Sequence, residues 1–221
     1  MLGILMLDTR FPRLPGDVGS AQSFTIPVRH HVVRGARPVA VVRGDDVALL
    51  QPFVEGGLAL VAAGASALGT SCGFLARWQR ELQAALPVPV WSSSLLSLAG
   101  EARGQRAGVI TIEATSLTPR HFEAVGADPA TPVEGITPGS PLHRTLLQDL
   151  PTLDAADAQA QVLAAAARLL ERHPDLQALV LECTNLPPYA PALRRVTGLP
   201  VFDVVSMLHG RMARLGYHPH R

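Results

Sequence analysis

The sequence predicts an α/β fold with parallel sheets, built as an internal repeat, and three observations carry that reading. The chain has only two cysteines, Cys72 and Cys183, set 111 positions apart in 221 residues. Each follows a short apolar run, Ala67 to Thr70 in the first half and Leu179 to Leu181 in the second. Each then precedes small or polar residues and a helix-like stretch. Further on, Leu86-Pro87-Val88 is echoed by Leu199-Pro200-Val201, 113 positions later, and Ser93 by Ser206, which implies a two-residue slip in the repeat. A unit of helix, short strand, turn and helix is the pattern of a parallel α/β sheet.

The elements follow in order. The apolar N-terminus is broken by Asp8 and Arg10 too early for a secretory core and has no basic segment before it, so it reads as a buried first strand. His30 and His31 fall in a strand. From Val47 to Ser71 the only charge is Glu55, a run about as long as the ~20 residues of a membrane span. It divides better in two. Leu50, Phe53, Val54, Leu58 and Val61 recur near helical spacing over Val47 to Ala63, with Asp45 as cap and Gly64 as the stop, and Ala65 to Thr70 is then a short buried strand. A helix over Phe74 to Ala85 leads to a strand opened by Leu86, Pro87 and Val88. Arg106 to Ile112 reads as a strand ending in Glu113, Ala114, Thr115 and Ser116, and Thr118-Pro119 starts a helix with a threonine cap and proline at the first position. With four prolines and two glycines, Asp128 to Pro141 reads as a loop, either a flap or a connector. An alanine-rich helix over Asp154 to Arg172 stops at His173-Pro174. The strand Leu176 to Glu182, the Cys183 turn and a helix over Tyr189 to Val196 follow.

Composition narrows the function. A 48% hydrophobic content supports a sizeable core, and a net charge of +1 with 17% charged residues gives no footprint for nucleic acid. Two cysteines make no disulfide framework, and with no CxxC pair or nearby histidine they make no zinc site, so no metal is expected and a reducing cytoplasm is. His218 and His220 are read as part of a frayed end. The chain contains no lysine, so all 19 basic residues of its Lys+Arg total are arginine. With no side-chain amine there is no pyridoxal Schiff base and no P-loop lysine, and no cofactor is expected.

In parallel α/β sheets ligands bind beyond the carboxyl ends of the strands, where helix N-termini direct N–H groups into the crevice. Both cysteines occupy that position, which is expected to lower their pKa values. Two opposed thiols suit removal of a proton from one face of a carbon and return of a proton on the other. Ser71, Thr115, Ser116, Thr184 and Asn185, at strand ends, are placed to stabilise the charge that develops. A competing reading is a serine hydrolase, since Gly69-Thr70-Ser71-Cys72-Gly73 fits G-x-S-x-G and Asp175 or Asp203 with His209 follows in order. That chemistry has no use for Cys183 in a matching frame. A third reading is a binding protein that keeps the cleft without catalysis.

Thr70-Ser71-Cys72-Gly73-Phe74 together with Glu182-Cys183-Thr184-Asn185-Leu186-Pro187 resembles the aspartate/glutamate racemase superfamily, which includes hydantoin racemase, arylmalonate decarboxylase and maleate isomerase. The resemblance implies two pseudosymmetric α/β lobes with the active site in the cleft between them. The first lobe would span 1–98, joined by a C-terminal helix over 206–221, and the second 99–205. It implies Cys72 and Cys183 as the base and acid pair, Asp8 and Thr9 near a substrate amino group or assisting the first thiol, and Ser71, Gly73, Thr115, Thr184 and Asn185 on a carboxylate. The activity implied is cofactor-independent racemisation or epimerisation of a small carboxylate such as aspartate or glutamate. The alternatives are hydantoin racemisation, or an isomerase or decarboxylase in which one cysteine acts alone. The expected partner is a small carboxylate-bearing molecule, with at most a second copy of the chain. The sequence departs from glutamate racemases at Asp8-Thr9-Arg10, at Gly73-Phe74 and at Asn185. Arg10 and Arg13 are either a clamp for a second carboxylate or solvated loop residues.

Overall fold

The computed structural model describes residues 1–44 and 47–217; the Asp45 cap, His218, His220 and the end of the proposed C-terminal helix lie outside them. In the first lobe the elements are β1 (Leu2–Leu7), β2 (Val28–Val33), α1 (Pro38–Arg43), α2 (Leu50–Ala62), β3 (Ala67–Thr70), α3 (Gln79–Ala85), β4 (Val90–Trp91) and α4 (Leu96–Ala99). The second lobe holds β5 (Ala107–Thr111), α5 (Pro119–Ala124), β6 (Val133–Gly135), α6 (Pro141–Leu147), α7 (Ala155–Arg172), β7 (Ala178–Leu181), α8 (Ala190–Thr197) and β8 (Val201–Asp203), and α9 (Val204–Arg214) ends the chain. Each lobe is a four-stranded, wholly parallel sheet, ordered β2-β1-β3-β4 and β6-β5-β7-β8. The two-lobed α/β fold read from the sequence is the fold of the chain.

Burial on both faces explains the near-continuous apolar runs of β1, β3, β5 and β7. On the first sheet, α2 approaches one face so closely that its Gly56 and Gly57 abut Leu5, Leu68 and Leu86. From the other face α9 buries Met207, Leu208 and Met212 against Leu2, Ile4 and Ala67. On the second sheet, α7 starts at Asp154, whose carboxylate accepts the N–H groups of Ala156 and Asp157 at 2.9 and 3.0 Å, and packs Leu169 against Gly108. Thr118 caps α5, with Pro119 at its first position. Among the described residues no helix is long and apolar enough to cross a membrane.

The register removes the slip inferred for the repeat. Leu68 pairs with Val90 and Leu179 with Val201, so β3 to β7 and β4 to β8 share a single offset of 111. The true counterpart of Pro200-Val201 is Pro89-Val90, one dipeptide beyond Pro87-Val88, and β4 begins at Val90 rather than Leu86. The Pro89 and Pro200 carbonyls accept from Leu68 and Leu179 N–H, both at 2.9 Å. Pro27 and Pro132 do the same for Leu2 and Val109. Every flanking strand of both sheets therefore opens on Pro-Val, where proline's missing N–H costs no ladder bond. The segment Asp128 to Pro141 is accordingly more than a loop, because Pro132 introduces β6, which pairs with β5. Residues 73–78 form a 3-10 helix before α3, not the first turns of an α-helix.

Candidate active site

Both cysteines sit two residues past their strand ends, where the chain turns from sheet to helix. Their surroundings are equivalent. The Cys72 carbonyl accepts from Leu75 N–H and the Cys183 carbonyl from Leu186 N–H, each at 3.1 Å. The amide of Phe74 is directed to the Cys72 sulfur and that of Asn185 to the Cys183 sulfur. Hydrogen bonds between the lobes bring the turns together: Thr184 Oγ1 donates to the Ser71 carbonyl at 2.7 Å, and Ser94 Oγ to the Leu181 carbonyl at 2.6 Å.

Six of the residues singled out in the sequence, Ser71, Cys72, Gly73, Cys183, Thr184 and Asn185, line one cavity between the lobes. The rest of its wall is apolar, with Phe11 and Phe74 at one side and Leu146 and Leu147 of α6 at another, and no charged side chain lines it. Its volume is about 30 Å³, room for about one water. The site is closed in this conformation, and both cysteines are only 6% exposed.

Burial decides the electrostatics and reverses the expectation of acidic thiols. Cys72 is pushed up to about 12 by burial first and the neighbouring Glu182 next, against the Phe74 amide and the more distant Arg77 and Arg13. Cys183 is raised well above a free thiol by burial and by Glu182, with Cys72 and Asp17 adding to the rise and the Asn185 amide opposing it. A single amide at the turn does not compensate for removal from water. Consistent with a protonated thiol, Cys183 Sγ donates to Asn185 Oδ1 at 3.7 Å, while Asn185 Nδ2 donates to Asp17 at 2.7 Å.

Glu182, to which the sequence reading gives no role, is the charged group that acts most strongly on both thiols. It is fully buried, and burial pushes its carboxyl up to about 8 against the pull of the Thr111 hydroxyl, which donates to Oε2 at 2.6 Å. Oε1 has no hydrogen-bond partner among the described residues and lies against Gly73, where an added Cβ would sit 2.3 Å away. The signal was present as a carboxylate immediately before the second cysteine, at the position that Ser71 holds before the first.

The remaining candidates lie outside the cavity wall. Asp8 accepts from Gly35 N–H at 3.1 Å and faces Arg37, and Thr9 accepts from Arg13 at 2.8 Å. Thr115 donates to Glu113 at 3.1 Å. Ser116 lines a separate surface recess with Arg43 and Arg77. Burial raises the pKa of Glu113, but Arg43 and Thr115 outweigh it and hold the carboxyl below the usual carboxylate range; His143 joins the group at 3.3 Å. Arg13 pairs with Asp17 at 3.1 Å and stacks on Phe11, so it is no solvated loop residue. Arg10 and Arg37 converge on Asp149, just past α6, whose carboxylate also takes the Arg10 and Phe11 N–H groups at 2.5 and 3.2 Å. This clasp joins the lobes beside the cavity, and Asp149 holds it at φ 56°, the only positive φ outside glycine among the described residues.

The hydrolase constellation does not assemble. Ser71 Oγ accepts from Leu7 N–H at 2.8 Å, whereas His209 on α9 contacts Thr25 N–H and the Val205 carbonyl through its two ring nitrogens. Asp203 caps α9, and Asp175 pairs with Arg106.

Comparisons with known proteins agree with the fold. The chain is 28% identical over 225 residues to a dimethylsulfoniopropionate lyase of Durusdinium sp. clade D, covering 92% of this chain and 71% of that protein. Among solved structures, a Gly74Cys mutant of arylmalonate decarboxylase superposes with a TM-score of 0.66 at 16% identity, over 99% of this chain and 96% of that one. Allantoin racemase from Pseudomonas fluorescens superposes at 0.64 and 17%, over 100% and 94%. The family model for Asp/Glu/hydantoin racemases matches residues 36–210, a span that holds both cysteines and both sheets' central turns, and the chain belongs to that family.

Proposed function

We propose that the chain is a cofactor-independent lyase that removes the proton next to a carboxylate with a cysteine thiolate and expels a leaving group from the adjacent carbon. The substrate class is a small carboxylate with an apolar or sulfonium substituent at the β-carbon, as in dimethylsulfoniopropionate. The observation that carries the reading is the cavity wall. Two thiols share a cavity lined otherwise by Ser71, Gly73, Thr184 and Asn185 and by aromatic and aliphatic groups, and among the described residues no charged side chain lines it to hold an α-amino group. Phe11, Phe74, Leu146 and Leu147 give the methyl groups of a sulfonium an apolar lining. The lyase relative, at 28% identity, supports the same class.

In the proposed step one thiolate takes the α-proton and becomes a thiol. The carbon–hydrogen bonding pair becomes the carbon–carbon double bond, and the carbon–sulfur pair leaves with dimethyl sulfide. The unsaturated carboxylate departs, and the thiol returns its proton to solvent. Amides following Cys72 and Cys183 stabilise the carboxylate as charge moves onto it. Purified protein given dimethylsulfoniopropionate is expected to release dimethyl sulfide, measured in the headspace by gas chromatography.

The equivalent frames of Cys72 and Cys183 favour a second reading, racemisation or epimerisation of a carboxylate such as aspartate or glutamate, or of a hydantoin, with one thiol on each face. That activity would place solvent deuterium at an inverted centre without releasing sulfide. Deuterium incorporation with inversion, and no sulfide, would replace the lyase by the racemase.

A further inference from the structure

Glu182 is a wholly buried carboxyl that neither reading employs. It directly precedes Cys183, packs against the residue that follows Cys72, has one oxygen bonded to Thr111 and leaves the other without a partner. No cation is bonded to it among the described residues. Its charge acts on both thiols, as the largest influence after burial in each case.

A site that must ionise one thiol and receive an anionic substrate has little tolerance for a third negative charge in a space this dry. We propose that Glu182 is a positioning residue that works as a neutral carboxylic acid and sets the charge of the site. While it keeps its proton, burial alone opposes ionisation of a thiol and the substrate carboxylate is admitted; once it loses the proton, its charge opposes both as well. The inference rests on the reading of Cys72 and Cys183 as the proton-transfer pair. The groups that face the cluster from other elements are Thr111 on β5, Arg77 in the 3-10 helix after Cys72, Arg13 and Asp17 in the first loop, and Tyr189 beside Cys183. Tyr189 is itself pushed up to about 12, by burial and then by Asp17 and Cys183, so Glu182 is the group placed to titrate near neutrality.

The test is the pH profile of kcat/KM for the wild type, Glu182→Gln and Thr111→Val. Because the thiols ionise only well above neutrality, wild-type activity is expected to rise with pH and to level off above a midpoint of about 8, where each thiolate gained is matched by a Glu182 proton lost. In Glu182→Gln that levelling limb disappears and the rise continues, whatever the rate, and in Thr111→Val, which removes the bond favouring the carboxylate, it moves to higher pH. A uniform loss of rate with the limb unmoved in either variant would mark Glu182 as structural and overturn the proposal. A second readout needs no substrate. The ultraviolet absorbance of thiolate, taken as the difference from the Cys72→Ser/Cys183→Ser protein, is expected to rise at lower pH in Glu182→Gln than in the wild type. An unchanged onset overturns the proposal. A shifted onset in a protein without lyase activity upholds the role of Glu182 and rejects the lyase.

Discussion

At the residue scale, the two sulfurs are brought together by position and lose acidity to burial. In the proposed reaction either thiol replaced by a hydroxyl removes the group that exchanges the proton, so Cys72→Ser and Cys183→Ser are each expected to lower kcat by about 10²- to 10⁴-fold with little change in thermal stability. Gly73 is constrained from outside the turn: an added Cβ would stand 2.2 Å from the Glu182 carbonyl and 2.3 Å from its Oε1. Gly73→Ala is expected to cost about 1–3 kcal/mol in denaturant unfolding and to distort the Cys72 turn. Glu182 gives stability a pH dependence of definite sign. The folded protein keeps its proton up to about pH 8, whereas the unfolded chain sheds it near 4.5. Between those values the unfolded state binds fewer protons, so this carboxyl lowers stability by about 1.4 kcal/mol for each unit of rising pH. Glu182→Gln is expected to flatten that slope in urea melts at successive pH values. The thiol frames were legible in the sequence because each is local, an apolar strand followed by a cysteine and a small turn. Glu182 was not, because its importance comes from the contact with Gly73 across the lobes.

At the scale of the element, Pro-Val shows what sequence can encode and how it is overlooked. Pro132-Val133 opens β6 as Pro27-Val28, Pro89-Val90 and Pro200-Val201 open the other flanking strands. Surrounded by further prolines and glycines, β6 is only three residues long and lacks the apolar run that marks a strand. Choosing Pro87-Val88 over Pro89-Val90 created a slip that the ladder does not contain. The clasp after α6 belongs to this scale as well. Asp149 takes two backbone N–H groups of the first loop and two arginine side chains, and its carboxylate is buried while Arg10 is exposed. Asp149→Ala is expected to cost about 1–3 kcal/mol, the price of orphaned donors, and to loosen α6 beside the cavity. Faster amide exchange in Arg10 and Phe11 would register that loosening; unchanged exchange would show that the clasp does not hold the lobes.

Across the whole molecule, two sheets of one topology place their equivalent turns face to face, so a repeat along the chain becomes one site. Cys72, Cys183 and their immediate neighbours were within reach of sequence reasoning for that reason. Asp8, Thr9, Thr115 and Ser116 also sit near strand ends, yet they engage the Arg37, Arg13 and Glu113 groups or a separate recess instead of the cavity. Direction at a strand end depends on the loop that follows, and those loops differ between the lobes. The proposed substrate needs more space than the room for about one water that the cavity offers in this conformation. The most direct measurement of the account is headspace dimethyl sulfide from purified protein supplied with dimethylsulfoniopropionate, compared with Cys72→Ser and Cys183→Ser. Release by the wild type that falls at least about a hundredfold in both variants is the predicted result. Release unaffected by either substitution, or inversion of an amino acid in its place, would contradict it.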